Sequence, residues 1–154
     1  MKKALNRPDR ISKDDNHTDQ TLPRSKILRG QQNFQRLFET SLVLKSPAIH
    51  LRYRLYDDPG EGCLIGFIAK KKLGKAVERN RTKRVLREAY RTNQYLLSDL
   101  FDTQTVGFHG VLIPRKAGLP HHIVQTEMVA LLKRMRVILT DHLSPKNINT
   151  HTKK

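Results

Sequence analysis

The chain has 154 residues, which is enough for one domain with a modest hydrophobic core and too few for two. Its formal net charge of +16 indicates a polyanionic partner, of which nucleic acid is the commonest, and its 37% apolar residues include no stretch approaching the ~20 needed to cross a membrane. The single cysteine, Cys63, excludes an internal disulfide and a multi-cysteine zinc site.

The two ends of the chain are polar and differ from the middle. The N-terminus lacks the apolar run of a signal peptide, so we expect a soluble, cytoplasmic protein that does not contact a membrane. Residues 1–21 contain only isolated apolar side chains, and residues 143–154 have a similar composition. We therefore predict two disordered tails, at 1–21 and 143–154, around a single domain at residues 22–142.

A short helix and a brief strand begin the predicted domain. Phe34, Leu37 and Phe38 follow the i, i+3, i+4 spacing of an amphipathic helix, which we place at residues 31–40. Plain core packing and a surface role are equally consistent with the two phenylalanines. Residues 41–44 have the pattern of a short strand that ends near Pro47.

The next two predicted strands differ in pattern. Residues 48–56 alternate, with apolar side chains on one face and His50, Arg52, Arg54 and Tyr56 on the other. Tyr56 adjoins the turn DDPGEG, where a solvated strand end is the alternative to a base-stacking role. Residues 63–69, CLIGFIA, form an apolar run typical of a central strand, in which the cysteine is a buried structural thiol.

A dense basic segment follows the third strand. Residues 70–91, KKKLGKAVERNRTKRVLREAYR, hold ten Lys and Arg against two Glu, so half of the net charge falls in this stretch. Apolar residues recur in it at helical spacing, which predicts a helix to about residue 98 with one buried stripe. At about 100° per residue, five polar residues share one arc beside that stripe: Asn80, Lys83, Arg84, Arg87 and Arg91.

This one-sided charge predicts an anion-binding surface. Like charges at i, i+4, such as Lys83 and Arg87, destabilise a free helix by a few tenths of a kcal/mol per pair, so a helix that needed only solubility would mix its signs. A solvated face is the alternative for any basic helix. The preceding KKKLGK places backbone N–H groups and the positive end of the helix dipole where phosphates bind. Charge alone does not distinguish a duplex major groove from a folded RNA.

A fourth strand and a long helix complete the domain. We place the strand at residues 110–114 and the helix at residues 121–143. The order is helix, three strands, helix, strand, helix. This order predicts an α+β fold, a single-domain αβββαβα sandwich with consecutive strands antiparallel and the helices packed on one sheet face.

The basic segment closely resembles the signature of the protein subunit of bacterial ribonuclease P, whose helix carries Arg-Asn-Arg, Lys-Arg and Arg-Glu. NFQRLF is similar to the first helix of that family, GFIAKK to the strand before the motif, and GVLIPR to the strand before the last helix. The resemblance covers about residues 22–142. The motif residues here are Arg79, Asn80, Arg81, Lys83, Arg84, Arg87 and Glu88, preceded by Lys71, Lys72, Gly74, Ala76 and Val77.

The resemblance implies both a fold and a function. The fold would be like domain 2 of ribosomal protein S5, with a left-handed β-α-β crossover against the usual preference. The function would be that of a protein component of a ribonucleoprotein that removes the 5′ leader of precursor tRNA. The catalytic RNA and its bound Mg²⁺ would perform the cleavage. The protein, one chain per catalytic RNA, would bind that RNA and the leader without a catalytic or metal-binding side chain.

Carried over by position, the resemblance assigns two sets of residues. Aromatic side chains beside cations suit a single strand, because bases stack for ~1–3 kcal/mol each while the cations neutralise the backbone. Arg52 stands where the family often has an aromatic residue, and Lys70 where it has a small one. The catalytic-RNA set is Lys71, Lys72, Lys75, Arg79, Asn80, Arg81, Lys83, Arg84, Arg87 and Arg91, and the leader set, between the first helix and the sheet, is Phe34, Phe38, His50, Arg52, Arg54 and Tyr56.

Two other functions fit parts of the sequence. A protein-only nuclease would need carboxylates clustered around metal ions, and nothing in the pattern makes Asp57 and Asp58 converge with each other or with Asp99 and Asp102. Adjacent histidines at 121–122 point about 100° apart on a helix, which is poor metal geometry. A basic structural RNA-binding protein of the ribosomal type, without enzyme activity, is the alternative that charge permits.

Overall fold

The computed structural model describes residues 20–144 and confirms the predicted α+β architecture. Most of both predicted tails, residues 1–19 and 145–154, lies outside the described residues. No helix within residues 20–144 is long and apolar enough to cross a bilayer. The elements are α1 Gln31–Glu39, β1 Leu42–Lys45, β2 Ile49–Tyr56, β3 Cys63–Phe67, α2 Ala76–Asn93, α3 Tyr95–Phe101, β4 Gly107–Pro114 and α4 His121–His142.

The sheet has the strand order β1-β2-β4-β3, which corrects two expectations. β2 pairs antiparallel with β1 and with β4, but not with its sequence neighbour β3, which pairs parallel with β4. The central strands are therefore β2 and β4, and not β3, which lies at an edge; all eight residues of β4 are buried. The free side of β3 is covered by the segment before α1, where the Leu28 N–H donates to the Ile65 carbonyl at 2.8 Å. The left-handed crossover stays a prediction.

Helices cover both faces of the sheet, so the expectation of a single covered face is wrong. On one face, Leu86 of α2 and Leu131 of α4 join Phe108 and Leu112 in the larger core. On the other, Leu37 of α1 packs with Val111 in a smaller core. β4 supplies both cores because its residues alternate between the faces. As a result, the polar side of β2 lies on the face that α1 partly covers.

The basic helix begins and ends at specific polar contacts. Gly74 has φ +139°, a backbone conformation that residues with a side chain rarely adopt, so glycine is favoured just before the first turn. Glu78 accepts the Lys75 N–H at 3.2 Å. At the other end the buried Asn93 donates to Ala89 O and to Gln125 Oε1, both at 2.8 Å. The predicted helix to residue 98 is thus two helices, α2 and α3, with the break at position 94.

Candidate nucleic-acid interface

α2 is held in one orientation by its buried side. Leu86 and Ala89 are fully buried in the larger core, and the Tyr90 ring meets Phe67 of β3 edge-on at 6.1 Å. Burial raises the pKa of Tyr90 well above its usual value. Because this side is fixed, the direction in which the opposite side points is fixed as well.

The exposed side of α2 borders a groove of about 480 Å³, here called the α2 groove. Arg84 and Arg87 are exposed and Lys83 is half-buried. None of these three cations forms an ion pair within residues 20–144. Cations without acidic partners retain their full attraction for phosphate. The groove is lined by Ile27, Leu28, Phe34, Phe67, Asn80, Lys83, Arg84 and Arg87.

The α2 groove contains members of both sequence-assigned sets. Phe34 belongs to the leader set, whereas Lys83, Arg84 and Arg87 belong to the catalytic-RNA set. Phe34 is half-buried, and a Cβ on Gly66 would lie 3.2 Å from its ring, so it packs against the smaller core and lines the groove at once. The two predicted surfaces are therefore contiguous.

The remaining motif residues lie away from this groove. Arg81 lies on the other flank of α2, in a shallow pocket shared with Glu78 and with residues 117–119 of the loop before α4. Arg79 Nε donates to the Gly74 carbonyl at 3.1 Å and so secures the helix start. Lys71, Lys72 and Lys75 are exposed on the turn that precedes α2.

Arg91 is engaged by the protein itself. Its guanidinium forms an ion pair with Glu88, and its Nη1 donates to the Gln20 carbonyl at 3.2 Å. The hydrogen bond from Arg91 lowers the pKa of the Glu88 carboxyl. Although Arg91 falls on the predicted arc, its charge is partly neutralised, in contrast to Arg84 and Arg87.

On the polar face of β2, Arg52 and Phe38 form a contact that is open to solvent. The Arg52 guanidinium lies over the Phe38 ring at 5.4 Å and donates from Nη1 to Ser41 Oγ at 2.9 Å. Phe38 is 42% exposed. The two phenylalanines therefore differ in their packing. Phe34 packs partly in the smaller core, whereas Phe38 lies at the surface.

Tyr56, which the sequence assigned to the leader set, is buried, so the alternative of a solvated strand end is wrong. It is 9% exposed, with Arg36 and Arg54 over its ring at 5.1 and 4.6 Å and the His109 ring edge-on at 4.8 Å. These contacts leave no ring face for a base. Neither Tyr56 Oη nor His109 Nδ1 has a hydrogen-bond partner among the described residues. Arg54 also donates to the Arg36 carbonyl at 3.4 Å.

Sequence reasoning missed some residues of this face. Arg36 pairs with Glu61 at 3.1 Å and joins α1 to the turn before β3, but its position within α1 gives no sign of that distant partner. Lys45, Lys70 and Arg115 lie near His50. The sequence could have indicated these three cations, because each lies at the end of a strand or shortly after it. Burial and then these cations, with Arg52, lower the pKa of His50.

Two of the four carboxylates considered for a nuclease have structural roles. Asp58 accepts a hydrogen bond from the Gly60 N–H at 2.8 Å within the turn before β3. Asp99 forms a bidentate ion pair with Arg136 at 2.7 and 2.8 Å. Within residues 20–144 no group of three or more His, Cys, Asp or Glu is arranged to hold a metal ion. Cys63 is half-buried, and burial raises the pKa of its thiol.

Comparisons with known proteins agree with one another. The sequence model of the ribonuclease P family matches residues 22–136. The ribonuclease P protein component of a Nitratiruptor species is 32% identical over 110 residues, covering 71% of this chain and 91% of that protein. That of Citrifermentans bemidjiense is 32% identical over 122 residues, covering 77% and 96%. The ribonuclease P protein of Thermotoga maritima superposes with a TM-score of 0.56 at 29% identity, covering 70% of this chain and 96% of that one.

Proposed function

This chain belongs to the ribonuclease P protein family, from which we infer that it is a protein component of that ribonucleoprotein. We propose that the α2 groove binds the catalytic RNA. The adjoining face of α1 and β2 would guide the 5′ leader of precursor tRNA. The observation that carries the proposal is the set of three cations, Lys83, Arg84 and Arg87, that have no ion-pair partner among residues 20–144 and lie on a helix fixed by its buried side. Rigid cations bind phosphate with less loss of conformational entropy than mobile ones.

The leader path is supported by the position of the aromatic rings. Phe34 lines the α2 groove and Phe38 lies exposed under Arg52, so a strand leaving the groove along α1 would meet one ring and then a cation. Stacking on a ring does not depend on which base is present, and Arg52 and His50 continue along the polar side of β2. A leader of any sequence could therefore be held.

The chemistry of cleavage belongs to the RNA in this proposal. Mg²⁺ prefers hard oxygen ligands and is commonly bound through phosphates. Two carboxylates on these elements are already paired, Glu61 with Arg36 and Glu88 with Arg91. We therefore assign the Mg²⁺ ions to RNA phosphates, with the protein lowering phosphate repulsion through its cations. One chain per catalytic RNA is sufficient for this arrangement.

Reconstitution tests the proposal directly. With Mg²⁺ alone, the isolated chain should leave precursor tRNA intact. When a bacterial ribonuclease P RNA is added at low-millimolar Mg²⁺, the chain should raise the cleavage rate. Cleavage by the chain alone would contradict the assignment of chemistry to the RNA. RNA binding without stimulation would instead indicate a structural RNA-binding protein.

The leader path has its own test. Shortening the substrate leader to one nucleotide should remove most of the affinity that the protein adds to the holoenzyme, since the leader would no longer reach Phe38 and Arg52. The measurement is the substrate Kd with and without protein for a long and a short leader. An equal gain for both leaders would refute the leader path and leave the catalytic-RNA site untouched.

A further inference from the structure

Basic residues gather at the end of the sheet where β1, β3 and β4 finish and β2 begins. Lys45 of β1 pairs directly with His50 of β2, and His50 pairs on its other side with Ile113 of β4. Arg115 follows Ile113 by two residues and stays in register, because its N–H donates to the Ala48 carbonyl at 2.8 Å. Directly paired residues share a sheet face, as do residues two apart along a strand. Lys45, His50 and Arg115 therefore lie on one face.

A further basic residue of this group follows the end of β3. Phe67 is in register with Leu112, and the Ile68 N–H donates to the Leu112 carbonyl at 3.1 Å. Lys70 follows Ile68 by two residues, and its charge acts on His50. Arg52, two residues after His50, is on the same face. We call Lys45, His50, Arg52, Lys70 and Arg115 the sheet-end basic cluster.

The charged groups that act on His50 are all cations. They are Arg115, Lys45, Lys70 and Arg52. Lys45 and Arg52 belong to β1 and β2, whereas Arg115 and Lys70 follow the ends of β4 and β3. α1 meets this face beside the cluster through Phe38, which lies under Arg52 and carries no charge. The charged Arg36 of α1 lies at the other end of β2, over Tyr56, and is paired with Glu61. The acidic group of α4 at this corner, Glu127, is engaged with the turn before β2, where it binds Ser46 Oγ and accepts the Ala48 N–H at 2.7 Å.

His50 is the titratable member of the cluster in the neutral pH range. Its ring is half-buried and forms no hydrogen bond with another described residue. Burial and the surrounding positive charge lower its pKa, so the free protein holds a neutral imidazole at neutral pH. A phosphate placed among these cations would cancel their repulsion and would accept a hydrogen bond from the protonated ring.

We propose that the sheet-end basic cluster binds a backbone phosphate of single-stranded RNA and that His50 takes up a proton when this phosphate binds. The inference rests on the proposed leader path and deepens it, since the cluster continues the path beyond Arg52. Proton uptake makes RNA binding stronger as the pH falls. The lysines and arginines of the cluster remain charged throughout this range and supply no such dependence.

The test uses the reconstituted holoenzyme and a precursor tRNA with an oligouridine leader, because uridine does not titrate between about pH 5.5 and 8.5. The quantity measured is the ratio of Kd values for a one-nucleotide and a long leader, which cancels effects of pH on the tRNA body. From pH 8 to pH 6 we expect this ratio to rise by up to about fivefold in the wild type, because pH 6 samples only part of a one-unit pKa increase that starts below the usual histidine value. It should stay flat in His50→Gln. The control, His122→Gln, removes an exposed histidine at the start of α4 and should behave as the wild type.

Each outcome decides the inference. A flat ratio in the wild type, or an equal rise in His50→Gln, would overturn proton uptake by His50 while leaving the leader path intact. A long leader that adds no affinity at any pH would overturn both.

A second measurement does not depend on any variant. The Cε1–H chemical shift of His50, followed by NMR in the full wild-type chain, should titrate at a higher pH when a short oligouridine is added. An unchanged midpoint at saturating oligouridine would overturn the inference even if His50→Gln failed to fold.

Discussion

Replacing the three unpaired cations of the α2 groove should weaken the salt dependence of RNA binding by a defined amount. Lys83, Arg84 and Arg87 border one groove, and each is free of acidic partners among the described residues. Glutamine retains much of the side-chain length while removing the charge. We therefore expect the triple variant Lys83→Gln, Arg84→Gln, Arg87→Gln to keep the fold and to lose phosphate contacts.

The magnitude follows from the number of phosphates neutralised. Each contributes about 0.7 to 0.9 to the slope of log affinity against log salt, so three cations that each bind one phosphate contribute about 2 to 3. A fourfold rise in salt should then weaken the wild type by about 20- to 40-fold more than the triple variant. A groove that held RNA through apolar contacts would give equal slopes.

The assay is direct binding of the catalytic RNA at several salt concentrations, with Mg²⁺ held constant. The matched control for single variants is Lys133→Gln, which removes one exposed charge from α4. Lys133→Gln should leave the salt slope unchanged, whereas Arg87→Gln should lower it by the contribution of one phosphate, about 0.7 to 0.9. Equal slopes for the triple variant and the wild type, with both folded by circular dichroism, would refute the assignment of RNA to the α2 groove.

Three further predictions concern residues whose partners the structure defines. Arg91→Gln should lower the same salt slope by less than half the change seen for Arg87→Gln, because Glu88 already neutralises Arg91; an equal change would show that the ion pair opens on binding. Tyr56→Phe removes a buried hydroxyl without a described partner, so urea unfolding should show between no change and about 1 kcal/mol of stabilisation; a clear loss would reveal a partner for the hydroxyl. Because the hydrogen bond from Arg136 lowers the pKa of Asp99 in the folded chain, this pair stabilises the protein above the ordinary aspartate pKa of 3.8. The stability difference between the wild type and Asp99→Asn should therefore be constant near neutral pH and disappear as the pH falls below that value, and a difference that persists in acid would contradict the pair.

The helices and strands were predictable where periodicity is strong. α1, β2 and α4 have clear patterns because each has one buried and one polar side. The start of β4 was missed because Gly107 and His109 look like loop residues, yet His109 is buried and its Nε2 contacts the Glu61 carbonyl at 3.0 Å. The predicted strand pairing was wrong because β3 and β4 are joined through two helices, α2 and α3, and pairing across such a distance leaves no local pattern.

The direction of the α2 charges was also predictable, but their partners were not. Helical geometry alone placed Lys83, Arg84 and Arg87 on one arc, and in the structure they border one groove. The same geometry put Arg91 on that arc without revealing Glu88 as its partner in the folded chain. The burial of Tyr56 was not predicted, because it involves Arg36 of α1, which is distant in sequence. Side-chain pairing across elements is a tertiary property, so periodicity does not report it.

The distribution of acidic partners distinguishes binding cations from structural ones. The described ion pairs join Arg36 to Glu61, Arg91 to Glu88 and Arg136 to Asp99, and none of these cations lines the α2 groove. Exposed pairs of this kind contribute little stability, so their absence from the groove costs the free protein little. An acidic partner inside the groove would have to be displaced by each phosphate, which would reduce affinity. Placing a carboxylate there, as in Asn80→Asp, should therefore weaken RNA binding more than Asn80→Ala does, and equal effects of the two substitutions would show that the groove is not the RNA site.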